Sequence, residues 1–80
     1  MKTDLLQNLS SVKAWQALES ERASLLSEGY TVVGTARMYW GTSYVLRNPA
    51  NGNRITLRLR GEVIEIVKNS KLVKQYEVKQ

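Results

Sequence analysis

The sequence predicts an α+β fold: an N-terminal helical segment packed on a strongly twisted antiparallel meander of four or five strands, left open or partly closed into a barrel. Three observations predict it. Residues 1–28 contain neither glycine nor proline, so nothing in them breaks a helix. After Gly29 the apolar residues change from a helical period to alternation. The breaks between the alternating segments are short and carry turn residues, so neighbouring strands should pair antiparallel in chain order. Eighty residues make a single domain over 1–80, with 1–28 helical and 30–80 antiparallel β.

Within the helical segment the apolar stripe is discontinuous. Leu5, Leu6 and Leu9 share one face; Val12, Trp15, Leu18, Leu25 and Leu26 share another, rotated away from the first. One straight helix cannot bury both. A short first turn, capped by Thr3 or Asp4 with Gln7 in capping-box position, therefore resets at Ser10-Ser11. The main helix runs from about Val12 to Glu28, with Ser11 as its N-cap and Gly29 in place for a left-handed C-terminal cap.

Five alternating segments follow: YTVVGTARM, TSYVLRN, NRITLRLR, EVIEIVK and KLVKQYEVK. Between them lie a glycine in WGT, the proline and Asn51-Gly52 of NPANGN, Arg60-Gly61-Glu62, and Asn69-Ser70. Ile55, Leu57 and Leu59 alternate with Arg54, Thr56, Arg58 and Arg60, which makes a half-buried strand with a basic outer side. Tyr44 and Leu46 should face inward beside it, with Ser43, Val45 and Arg47 outward. In the first strand, Val32, Gly34, Ala36 and Met38 are expected inward. Arg37 and Tyr39 would then join the outward arginines. The fourth strand is apolar on both sides, since Val63 and Val67 face opposite to Ile64 and Ile66. In element order the chain resembles the Sm-like barrels; that family's motifs are absent, so the likeness implies no residue role.

Composition narrows the chemistry. There is no cysteine and no histidine, so disulfides, thiolate metal sites and the side chain that titrates near neutrality are all missing. No metal or cofactor is expected. Glu62 and Glu65, three apart on a strand, would point to opposite faces and could not act as a catalytic pair. No glycine-rich phosphate loop and no nucleophile elbow occurs. The expectation is a protein without enzymatic activity. The N-terminal TDLLQNLSSV is too polar for a targeting core, and no apolar run is long enough to span a bilayer. A cytoplasmic protein with no membrane partner is expected.

Charge supplies the positive signal. Residues 1–29 carry three Lys/Arg against four Asp/Glu, net −1; residues 30–80 carry nine against three, net +6. Between Tyr30 and Arg60 lie five arginines and no acid, so this half attracts anions. Arginines can grip phosphates through two parallel hydrogen bonds, and aromatic rings give unpaired bases a stacking surface. Trp15, Tyr30 and Tyr44 are expected to fill the core and the register of Tyr76 is open, which leaves Tyr39 and Trp40 at the first hairpin tip, where Trp40 should not be fully buried unless it folds back over the open end of the sheet. The candidate site is therefore Arg37, Tyr39, Trp40, Arg47, Arg54, Arg58 and Arg60. The expected partner is nucleic acid, bound with little sequence preference. The alternative is a protein-interaction module or inhibitor, such as a phage or plasmid accessory protein, with an acidic partner surface or a second copy of itself seated on Val33, Val63, Val67 and Leu72. Against both stands ordinary solvation: outward arginines discourage edge-to-edge aggregation, and Arg58 should pair with Glu65 across the strands.

Overall fold

The computed structural model describes residues 11–79. One helix, α1 (Val12–Ser27), is followed by five strands: β1 (Thr31–Met38), β2 (Gly41–Arg47), β3 (Arg54–Arg60), β4 (Val63–Lys68) and β5 (Lys71–Glu77). The strands pair antiparallel in the order β1-β2-β3-β4-β5, so the sheet is an open meander with β1 and β5 as its edges. It does not close into a barrel. The first turn expected around Leu5, Leu6 and Leu9, with its Thr3, Asp4 and Gln7 cap, lies outside the described residues.

Both ends of α1 form as local chemistry dictates. The Ser11 side chain accepts a hydrogen bond from the Ala14 N–H at 3.0 Å, satisfying one of the free donors at the helix start. At the other end Gly29 adopts φ +98°. Its N–H donates to the Leu26 carbonyl and that of Tyr30 to the Leu25 carbonyl, both at 3.1 Å, a Schellman motif. Tyr30 then enters the core, where Leu25 packs against the same cluster.

The helix lies on one face of the sheet, chiefly over β3. Ala14 and Leu18 are buried against Leu46, Ile55, Leu57, Leu59 and Ile64, with Trp15, Ala17, Leu25, Tyr44, Ile66 and Tyr76 packed around them. The buried stripe is rotated from the expected one. Val12, in the first turn, and Leu26, in the last, are exposed, whereas Ala14 is fully buried.

Direct cross-strand partners share a face, so the register assigns every strand residue. Thr42, Tyr44 and Leu46 pair with Leu59, Leu57 and Ile55 on the helix side, and Ile64 and Ile66 continue that layer on β4. Ser43, Val45 and Arg47 face away with Arg58, Thr56 and Arg54, as expected. β1 departs from expectation. Val32 pairs with Leu46 on the helix side, but Gly34 already pairs with Val45, because Val33 is an extra residue in a bulge. Beyond it Thr35 and Arg37 face the helix, while Gly34, Ala36 and Met38 face away. A second bulge, at Val73 in β5, adjusts the opposite edge.

The turns use the residues their geometry requires. Gly61 (φ +60°) opens the β3–β4 turn, and Asn69 (φ +49°) with Ser70 (φ +72°) closes β4 onto β5. At Gly41, φ is +153° and a Cβ would lie 1.8 Å from the Leu59 carbonyl oxygen, so no other residue fits between β2 and β3.

Candidate functional site

On the helix side of the sheet two polar sets join strand tyrosines to glutamates of α1. The Tyr44 hydroxyl donates to Glu19 Oε2 at 2.8 Å, and Arg22 donates through Nε and Nη2 to Glu19 Oε1 at 2.9 and 2.6 Å. The Arg22 guanidinium lies over the Tyr44 ring. Partial burial pushes the Glu19 carboxyl up, but the bonds from Tyr44 and Arg22 and the charges of Arg22 and Arg37 outweigh it and hold it below the usual carboxylate value. On the other flank, Tyr76 donates to Glu21 Oε2 at 2.6 Å. Burial and that bond push the Tyr76 phenol up. Glu19 and Glu21 are two residues apart and so lie on opposite flanks of the helix. Tyrosines from β2 and β5 thus fasten it from both sides.

Arg37 belongs to this side, and the expectation that it shares the outward arginine face is corrected. The bulge at Val33 shifts the alternation of β1 by one residue. The Arg37 guanidinium lies 5.8 Å from the centre of the Trp15 ring on α1. Gly34 and Ala36, expected beneath the helix, stand on the opposite face for the same reason, and Met38 is half exposed there, at 50%.

The outward face carries the remaining arginines in cross-strand rows. Arg47 is directly opposite Arg54. The next row runs Gly34, Val45, Thr56, Val67, Leu72, an apolar band across all five strands. Then come Ala36, Ser43, Arg58, Glu65 and Gln75, and finally Met38, Gly41, Arg60, Val63 and Glu77. Arg58 Nη1 lies 3.0 Å from Glu65 Oε1, the cross-strand ion pair expected from the sequence. Arg60 packs its guanidinium 5.1 Å from the centre of the Trp40 ring. Arg47 and Arg54 are exposed, and neither forms an ion pair among the described residues.

The aromatic candidates divide. Tyr39 is 72% exposed at the β1–β2 turn. Trp40, where full burial is not expected at a turn, is half-buried beneath Arg60, so it finds cover from a neighbouring strand. Tyr44 and Tyr76 both face the helix, so no ring stands on the middle of the outward sheet face. Glu62 lies in the β3–β4 turn, where Oε2 accepts from the Ser11 N–H at 3.1 Å. Its negative charge there complements the positive end of the helix dipole. Among the described residues no three metal-ligating side chains come together, and no helix is long and apolar enough to cross a membrane.

Sequence reasoning missed the asparagines at the Arg47/Arg54 end. The Asn69 side-chain oxygen accepts from the Arg54 N–H at 2.9 Å, and the Asn69 N–H donates to the Arg54 carbonyl at 2.8 Å. Asn69 Nδ2 also donates to Asn53 Oδ1. Asn48 is buried and closes the 48–53 loop through both its backbone groups and its side chain. The signal was the density of asparagine in NPANGN and KNSK, a residue that hydrogen-bonds nearby backbone and tolerates left-handed conformations.

Set against other proteins, the chain matches no family model. Neither the curated sequences nor the solved structures searched provide a significant match.

Proposed function

We propose that this protein is a non-catalytic binding protein whose outward sheet face engages nucleic acid through its phosphate backbone, with little dependence on sequence. The observation that carries this reading is the exposed, acid-free arginine pair Arg47 and Arg54 on the same face as Arg60. Arg54 and Arg60 are six residues apart on one strand, about 20 Å at ~3.3 Å per residue. That spacing suits an extended polyanion touching several points better than one small anion. Arg58, neutralised by Glu65, contributes less, and Arg37 contributes only from the edge of the helix side. Stacking is confined to Tyr39 at the hairpin tip, because Trp40 is occupied by Arg60. The contacts are therefore with phosphates more than with bases, which accounts for weak sequence preference.

The test is binding of a fluorescent single-stranded oligonucleotide at low salt, followed by a salt titration. Binding that weakens steeply and log-linearly as salt rises is expected. No binding at about 50 mM salt, where phosphate contacts are strong, would sink the proposal.

A protein partner is favoured by a different observation, the apolar band of Val45, Val67 and Leu72 across the outward face. Capture of a partner protein that survives nuclease treatment and is lost in Leu72→Lys would favour that alternative.

A further inference from the structure

We infer that Arg47 and Arg54 form a preorganised phosphate clamp, and that nucleic acid binds first there. This deepens the proposed function and rests on it. Two like charges directly opposite each other on one face repel and destabilise a sheet. The pair nonetheless stands in solvent, and among the described residues no strand or turn carboxylate lies at its end of the sheet. The strand residues there are Arg47, Arg54, Lys68 and Lys71, and the loops between them are Asn48–Asn53 and Asn69-Ser70. Glu28, which caps the helix at this end, forms no ion pair with either arginine.

The polar groups around the pair are spent on its backbone instead. Asn69 holds Arg54 by its N–H and its carbonyl together. The Thr31 hydroxyl donates to the Arg47 carbonyl at 3.3 Å. Asn53 and Asn69 are joined through their side chains, and Asn69 keeps φ +49° to do so. Both main chains are thereby fixed while both guanidiniums stay free. Each guanidinium is a planar fork matched to two phosphate oxygens. Two forks rooted on paired residues of adjacent strands can grip one phosphate from both sides, and the anion removes the repulsion between them. Asn69 is a positioning residue in this arrangement.

The test combines melting with oligonucleotide binding, using inorganic pyrophosphate as the small probe. Arg47→Thr/Arg54→Thr should melt at or above the wild-type temperature without ligand, since repulsion is relieved. Pyrophosphate should raise the melting temperature of the wild type and leave the double variant unmoved. Oligonucleotide affinity should fall at least about tenfold, and the log–log salt slope should shrink by about two. A Lys13→Ala/Lys79→Ala variant of equal net charge should keep the pyrophosphate response. Arg47→Lys/Arg54→Lys should keep the salt slope but lose affinity, because the forks are gone. Asn69→Gly, which keeps the left-handed backbone, should weaken binding with no change in slope.

Outcomes separate the two claims. If the wild type binds oligonucleotide and the double threonine variant binds equally well, the clamp is wrong and the broader reading stands on Arg60. If no oligonucleotide binds but pyrophosphate stabilises the wild type alone, the clamp stands and nucleic acid is wrong. If pyrophosphate stabilises neither or both, or if the double threonine variant melts well below the wild type, the clamp is overturned.

Discussion

The two faces of this sheet treat charge in opposite ways. Under the helix, Glu19, Arg22 and Tyr44 form one closed set, Tyr76 and Glu21 another, and Arg37 lies on Trp15. These groups tie the helix to the sheet. On the outward face, among the described residues, only Arg58 is paired with a carboxylate, while Arg47 and Arg54 face each other without one. The two sides also differ in residue type, leucine and isoleucine under the helix against arginine, threonine and valine outside, and only one of them has an element packed above it. A charge beneath a covering helix must be partnered, because its desolvation is otherwise uncompensated. A charge on an uncovered sheet face can stay free for a ligand.

Substitutions can break or sharpen that contrast. Leu57→Ala, at the centre of the covered face and fully buried, should cost about 4 kcal/mol in urea unfolding. Thr56→Ala beside it on the open face should change stability by roughly 0.5 kcal/mol or less. Equal costs would mean that the outward face is also a packed core. Gly41→Ala is the exception expected on the open side. Its Cβ would strike the Leu59 carbonyl, and the strain should cost on the order of 3 kcal/mol, seen as a lowered unfolding midpoint.

Smaller effects probe the polar sets. Tyr76→Phe removes the bond to Glu21 and should lower stability by about 1 kcal/mol. The Glu19 carboxyl is held below its ordinary value, 4.5. Its contribution is therefore complete at neutral pH and is lost as pH falls through and below that value. Tyr44→Phe, which removes one of the bonds responsible, should lessen the acid loss when unfolding midpoints at about pH 7 and about pH 3 are compared. Least of all, Arg58→Ala should shift the midpoint by about 0.5 kcal/mol or less, because its ion pair with Glu65 is partly solvated.

Much of this architecture was legible in the residues. RITLRLR alternates cleanly, so the face of every β3 residue followed from it. Ser11 and Gly29 marked the helix ends because capping is local chemistry. The Arg58–Glu65 pair followed from strand lengths and a two-residue turn. What failed was the phase of β1. Val32 and Val33 are equally apolar, so alternation does not say which one pairs, and the count continued unbroken through Gly34. A glycine inside a strand pattern is a known mark of a bulge, and it stood in plain view. One extra residue then moved Arg37 from the open face to the helix side and Met38 in the other direction. The tyrosine–glutamate fastenings were hidden because they join residues 25 and 55 positions apart, and nothing local to either partner specifies them.

Val33 has a last consequence. Excising it would leave Val32 opposite Leu46 and Gly34 opposite Val45, so the domain should still fold with its faces unchanged. The outermost strand would then lie straight, its unpaired amides and carbonyls spaced to accept another chain. A variant shortened by that single valine should be native-like when dilute and self-associate as it is concentrated. On this account the superfluous residue serves solubility.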